Sequence, residues 1–231
     1  MEENTIFLND DFENFKIAVH MLYHSKEPEI QKKADKFLCN FDLKKEAWDI
    51  SIQILGTPSL EEEVYYNASQ IIKKKIRFDF GNYIDNKEII LNLSNFLIEK
   101  IEVFKSHKTY LLSNLCKCFS LLTIFSHHVY PELLNKVVNK FHNTDIKSMF
   151  ALLLIFNYMA ENENENDIVV DEDYRKSYIK YLHSIGEDVL IYLDYLIKLV
   201  SNIQYKQELI ENEANLVSLF RIINKNVRKI F

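Results

Sequence analysis

The scarcity of glycine and proline is the feature that most restricts the folds open to this chain. Only three of each occur among 231 residues. Tight turns depend on these residue types, and a sheet protein needs many such turns. No stretch alternates apolar and polar residues as a half-buried strand does. Since 48% of the residues are hydrophobic, enough for a continuous core, the composition predicts an all-α fold.

Amphipathic segments of helical period follow one another along the chain with short breaks. Taken two at a time they recur at roughly 35 to 45 residues, which is the period of HEAT and armadillo repeats, and about five and a half pairs fit. We therefore predict a HEAT-repeat α-solenoid of stacked antiparallel helix pairs. The predicted segments begin near Asp10, Pro28, Leu43, Leu60, Asn86, His107, Tyr130, Asp145, Asp171, Gly186 and Tyr205.

The repeats predict one structural segment that occupies residues 1–231. The tract Glu161–Asp167 has no apolar member and nothing to bury, so we expect a solvent-exposed, mobile loop. The last segment, Tyr205–Phe231, remains apolar to its end, whereas a solenoid usually closes with a polar-faced cap. We therefore expect this chain to be part of a longer protein.

Charge and composition exclude several classes of protein. A formal net charge of -6 does not favour direct binding to nucleic acid. The N-terminus lacks the pattern of a signal peptide, and we expect no membrane span and a protein made in the cytosol. Cys39, Cys116 and Cys118 lack metal-ligand spacing and are interpreted as reduced core thiols.

No motif of catalysis or cofactor binding emerges from the sequence. His20 and His24 lie one helical turn apart, but the glutamate of a zinc-protease motif does not follow His20, so we expect exposed histidines without a metal. His127 and His128 are expected to be structural, at a helix C-terminus that favours cations. Glycine-rich phosphate loops and nucleophilic triads are absent. We predict a protein that is not an enzyme and has no cofactor.

The stretch Leu60–Phe80 combines an apolar stripe with a defined polar pattern. Acidic residues open the predicted helix and basic residues close it, which in itself is explained by the helix dipole. The remaining polar positions include Gln70, Lys73 and Lys75. The predicted buried stripe consists of Leu60, Val64, Ala68, Ile71, Ile72 and Ile76.

Three motifs occur in a recognisable order. The first is Ala18-Val-His-Met-Leu-Tyr-His24, followed by Gln31, Ala34 and Leu38, and the second is Ala47-Trp48-Asp-Ile50, followed by Ile54-Leu55. The third consists of Tyr66, Ala68, Ser69, Gln70, Lys73, Lys75, Ile76 and Phe80. Together they resemble the N-terminal region of the importin-β superfamily of nuclear transport receptors, most closely the transportin-SR and importin-thirteen branch. By this resemblance the importin N-terminal-like region would be about 10–105, and further HEAT repeats would cover 106–231.

The resemblance implies a right-handed superhelix whose first repeats bind the GTP-bound form of the small GTPase Ran. Protein cargo, for example SR-type or other basic proteins, and nucleoporins are the further partners expected of the full-length receptor, which would shuttle between cytoplasm and nucleus. By this resemblance the Ran-binding residues are Gln70, Lys73 and Lys75, with Asn67 and Lys74 as neighbours. Three successive lysines point about 100° apart on a helix, so they cannot all face one partner.

An alternative remains open at the level of sequence. A HEAT-repeat scaffold, such as a phosphatase or vesicle-coat subunit, has the same helical period and no affinity for Ran. The polar pattern between Tyr66 and Ile76 favours the transport receptor, because a scaffold has no need for it. An enzyme is the most remote of the three hypotheses.

Overall fold

The computed structural model describes residues 10–82, 85–141, 145–162, 173–174 and 176–184. These residues form helices and connections, and no strand occurs among them, which confirms the predicted all-α class for this part of the chain. The predicted segments from Gly186 and Tyr205, and residues 163–167 of the acidic tract, lie outside it. Glu161 and Asn162, predicted to begin an exposed loop, are instead the last residues of a helix. The helices are α1 (Asp11–His24), α2 (Pro28–Phe41), α3 (Ala47–Gly56), α4 (Glu62–Phe78), α5 (Lys87–Phe104), α6 (Thr109–Ser126), α7 (Leu133–Phe141) and α8 (Ile146–Asn162).

Local sequence signals explain where several helices begin. The side chains of Asp10 and Asn86 accept hydrogen bonds from backbone N–H groups of the first turns of α1 and α5, which satisfies donors without an intrahelical partner. Pro28 opens α2, where its missing N–H has no cost. The third helix begins at Ala47 instead of the predicted Leu43, because residues 42–46 form turns after α2, in which Leu43 is 80% exposed.

Successive helices pack in pairs, and the pairs pack on one another. Contacts join α1 to α2, α3 to α4, α5 to α6 and α7 to α8. Further contacts join α1 to α4, α4 to α6, and α6 to α8. If the second helices of successive pairs always packed on one another, α2 would pack on α4. Here α1 packs on α4 instead. Asp42, the residue after α2, forms an ion pair with Lys74 of α4.

Hydrogen bonds between helices of successive pairs span about the length of one pair, from 35 to 49 residues. Asn67 donates to Tyr23 over 44 residues, at 3.4 Å. Asn114 of α6 donates to Ser69 of α4 over 45 residues, at 2.7 Å. Ser113 of α6 and Tyr158 of α8 are also 45 residues apart, with their hydroxyl oxygens at 2.5 Å. These three bonds join α4 to α1, α6 to α4 and α6 to α8.

The apolar stripe predicted for α4 forms part of the core. Val64, Ala68, Ile71, Ile72 and Ile76 are all buried. Leu60, which precedes α4, is only partly buried. The stripe belongs to one hydrophobic cluster that extends from α1 to α8, so the prediction from helical period is confirmed for the helix itself.

Helix α6 lies at the centre of this core, between α4, α5 and α8. By length and composition α6 could also cross a membrane, which the sequence analysis overlooked, but 78% of its apolar window is buried inside the protein. A helix surrounded by other helices must be apolar on most sides. Cys116 and Cys118 on α6 are buried as predicted, whereas Cys39 on α2 is exposed and not the core thiol that was predicted.

His127, at the C-terminal end of α6, is a neutral core residue and not the cation that the helix dipole suggested. Its side chain is 4% exposed. Nδ1 lies 2.8 Å from the carbonyl oxygen of Ile124 and Nε2 lies 3.1 Å from Oγ of Ser177. A carbonyl can only accept, so Nδ1–H is the donor. Burial lowers the pKa of His127, and the hydrogen bond to Ile124 only partly opposes that shift.

We expect the protein to lose stability as the pH falls below about 6.5, the ordinary pKa of histidine. Above that pH His127 is neutral in both the folded and the unfolded chain. Below it the unfolded chain binds a proton at this histidine, whereas the folded chain, with its lowered pKa, does not. This difference in proton binding favours unfolding. Urea denaturation at pH 7.5 and 5.5 measures the difference. His127→Gln should reduce it, whereas His183→Ala, at an exposed histidine, should not. If the stability of His127→Gln depended on pH as strongly as that of the wild type, His127 would not be the group responsible.

Candidate functional site

The polar side of α4 is the candidate functional site. With about 100° of rotation per residue, Asn67, Gln70, Lys73 and Lys74 fall within one arc of the helix, opposite the buried stripe. Lys75 falls about 200° from Lys73, on the side of the core. The structure therefore brings together four of the five residues that the sequence predicted.

Two of these four residues are held in place by neighbouring side chains. Nδ2 of Asn67 donates to the carbonyl oxygen of Glu63 at 2.8 Å and contacts Tyr23 of α1. Nε2 of Gln70 donates to the hydroxyl oxygen of Tyr66, one turn earlier, at 2.5 Å. These bonds limit the rotamers of both amides, so a partner would meet side chains that are already ordered.

Lys73 is half-buried, and among the described residues it has no hydrogen bond and no ion pair. Burial is the main reason that the pKa of its ammonium group is lowered. The neighbouring cations Lys117, Arg77 and Lys74 lower that pKa further. Cys118 opposes the shift, but burial raises the pKa of its thiol to about 12, so the thiol is uncharged at neutral pH. Lys73 thus has neighbouring positive charges and no compensating negative one in this part of the chain.

The other two lysines are already paired. Lys74 is exposed and forms an ion pair with Asp42. Lys75 forms an ion pair with Asp79, one turn later, at 2.8 Å, and its side chain is only 11% exposed. Lys75 also lines a groove of about 390 Å³ on another side of α4, with Trp48 and Ile89 among its walls. One flat partner could not contact both Lys73 and Lys75.

The polar arc of α4 continues onto α6 and α8. Tyr66 of α4 meets Tyr110 of α6 edge to face, with ring centroids 5.0 Å apart. Ser113 binds Tyr158, and the ammonium group of Lys117 lies 4.7 Å from the centroid of the same ring. We call this surface the α4–α6 face; it consists of Tyr66, Asn67, Gln70, Lys73, Tyr110, Ser113, Lys117 and Tyr158.

Sequence reasoning missed the contribution of α6. Tyr110, Ser113 and Lys117 are spaced by three and four residues, so they share one side of the helix. Polar residues at this spacing in an otherwise apolar helix were the sequence signal that could have identified this side of α6. Their proximity to Gln70 and Lys73 depends on the packing of α6 on α4, which a single sequence does not give.

No model of a known protein family matches this chain, and no curated protein matches it either.

Proposed function

We propose that this chain is the Ran-GTP-binding N-terminal part of a nuclear transport receptor of the importin-β superfamily, built as a right-handed HEAT-repeat α-solenoid. The receptor carries protein cargo through the nuclear pore and shuttles between cytoplasm and nucleus. The resemblance of the three sequence motifs is the starting point of this proposal.

The packing of the helices supports the solenoid. In a repeat architecture each unit contacts its neighbours, so contacts recur at one repeat length. Hydrogen bonds that join α4 to α6 and α6 to α8, the second helices of successive pairs, span 35 to 49 residues. These separations bracket the roughly 40 to 47 residues of HEAT or armadillo units.

The observation that carries the binding proposal is that Lys73 is half-buried and has no counter-charge among the described residues. A half-buried ammonium group without a counter-charge is unfavourable, and an acidic group of a partner would remove that cost. The surrounding side chains suit a protein partner, because tyrosines provide large, ordered contact area and amides provide hydrogen bonds. An acidic region of Ran in its GTP-bound form is the partner we propose for the α4–α6 face.

Binding alone is sufficient for this function. Ran-GTP and cargo exclude one another, and the difference in the receptor's affinity for Ran-GTP with and without cargo provides the free energy of cargo release. GTP hydrolysis belongs to Ran, so no bond is broken by this chain. Small rotations between neighbouring helix pairs add up over a solenoid, which lets the binding of Ran at one end alter a cargo surface elsewhere.

Biolayer interferometry with Ran loaded with a non-hydrolysable GTP analogue or with GDP tests this proposal, at low and at physiological salt. We expect saturable binding of the GTP form alone. Lys73→Glu should weaken it by at least about tenfold, or about 1.4 kcal/mol, because an acidic side chain would then face the acidic partner. Lys36→Glu, with the same charge change on the exposed surface of α2, is the matched control and should alter the affinity by less than about twofold.

Two outcomes would contradict the proposal. Equal binding of both nucleotide forms, or of neither, would favour the scaffold over the receptor. Selective binding of the GTP form that Lys73→Glu leaves intact would retain the receptor but place the Ran surface away from Lys73.

A further inference from the structure

A cluster of three metal-binding side chains lies where the end of α1 meets the start of α4. His20 and His24 are one turn apart and their rings are adjacent, with centroids 4.7 Å apart. Glu61 immediately precedes α4 and has no capping hydrogen bond from its side chain. Its carboxylate instead extends across to both imidazoles. All three residues are exposed, so an ion from solution can reach them.

The distances from one carboxylate oxygen to the two imidazoles are close to those around a tetrahedral ion. Oε2 of Glu61 lies 3.4 Å from Nδ1 of His20 and 3.7 Å from Nε2 of His24. One ligand atom from each residue lies within 4.8 Å of the others. A zinc ion with bonds of about 2.0–2.2 Å holds neighbouring ligand atoms roughly 3.3–3.5 Å apart. Both distances to the carboxylate are close to that value, and the two imidazole nitrogens, within 4.8 Å of each other, complete the set after a rotation of the histidine side chains.

The types of ligand select the class of ion. Two imidazoles and one carboxylate suit Zn²⁺ and related transition metals, whereas Mg²⁺ and Ca²⁺ prefer oxygen ligands throughout. In the described part of the chain, Glu61 has no lysine or arginine as an ion-pair partner, so its negative charge remains available to the metal.

We propose that His20, His24 and Glu61 form a surface site for a divalent transition metal, with Zn²⁺ as the ion that fits it. Three protein ligands leave the fourth position of a tetrahedral ion to water. The sequence predicted no metal here because Glu61 is distant from the histidines in sequence; only the packing of α1 on α4 brings it to them. The inference is independent of the partner proposed for the α4–α6 face.

A bound ion would tie α1 to the start of α4 and therefore stabilise the folded chain. The unfolded chain does not hold Glu61 beside the two histidines, so the metal binds the folded state preferentially. We expect Zn²⁺ to raise the melting temperature.

Isothermal titration calorimetry of ZnCl₂ into the tag-free chain is the direct test, in a Cys39→Ser background that removes the exposed thiol. We expect one equivalent of Zn²⁺. His20→Ala, His24→Ala and Glu61→Gln should each weaken binding by at least tenfold, because even indirect supports of a metal site cost about 10–100-fold when lost. His107→Ala is the matched control: His107 also pairs with a glutamate, Glu62, at 3.2 Å, but belongs to no cluster of three such ligands among the described residues.

Binding of one equivalent that is lost in the three variants and retained in His107→Ala would establish the site. The absence of Zn²⁺ binding, or binding that His20→Ala and Glu61→Gln leave unchanged, would overturn it. Circular dichroism of each variant distinguishes the loss of a ligand from the loss of the fold, and since all three side chains are exposed we expect native spectra.

Discussion

Ile72→Asp should abolish the cooperative unfolding of this protein. Ile72 is fully buried on the core side of α4, and α4 packs against both α3 and α6. A carboxylate at this position has no counter-charge available from the apolar stripe, so it must either lose its hydration or disrupt the core. Either cost amounts to several kcal/mol, which is comparable with the total stability of about 5–15 kcal/mol of a typical domain.

Thermal melting followed by circular dichroism measures this effect. The variant should show a broad loss of helix without the sharp transition of the wild type. Ile72→Val is the control, because it keeps the site apolar and removes one methylene group; it should cost about 0.5–1.5 kcal/mol and preserve a sharp transition. If Ile72→Asp melted like the wild type, the assignment of the buried side of α4 would be wrong.

The sequence was sufficient for the helices because their apolar period and their caps are local properties. Helices α1, α2 and α5 begin within one residue of the predicted positions, and each has a marker there: an aspartate cap, a proline or an asparagine cap. The prediction was least accurate for α3, whose first predicted turn has no such marker. Local signals therefore place the ends of helices where an N-cap residue or a proline is present.

The candidate sites required more than local information. Lys73 and Lys75 look equivalent in a motif, but only Lys75 has an ion-pair partner, and this difference follows from which side of α4 the core covers. His127 shows the same limit: a helix C-terminus favours a charged histidine, yet burial under the following segment lowers its pKa. The environment of a side chain depends on helices distant in sequence, which spacing does not reveal.

Ser69→Ala should destabilise the protein by about 1–3 kcal/mol, a large effect for the loss of one oxygen atom. Ser69 is fully buried and Asn114 nearly so. Nδ2 of Asn114 donates to Oγ of Ser69 at 2.7 Å across the contact between α4 and α6. Alanine removes the acceptor and leaves a buried amide donor unpaired, and that unpaired group is the main cost. Urea denaturation gives the free energy of unfolding.

Ser94→Ala is the matched control for this substitution. Ser94 is equally buried, and Oγ of each serine donates to the carbonyl oxygen three residues earlier in its helix. Within the described residues Ser94 accepts no hydrogen bond from another helix. Its replacement leaves no donor unpaired, so we expect a cost below about 1 kcal/mol. A similar loss in both variants would show that the serine's own helix, and not the bond between helices, determines the effect.

Asn114→Leu separates the cost of the unpaired donor from the value of the bond itself. Ser69 still donates to the carbonyl oxygen of Tyr66 at 2.7 Å, so this substitution leaves no polar group without a partner, and leucine has a similar branched shape. The double variant Ser69→Ala with Asn114→Leu should therefore be more stable than Ser69→Ala alone, by about 1 kcal/mol or more. Additive losses in the double variant would mean that the two side chains stabilise the protein independently. Recovery would mean that the contact between α4 and α6, on which the α4–α6 face depends, requires this pair to be either complete or absent.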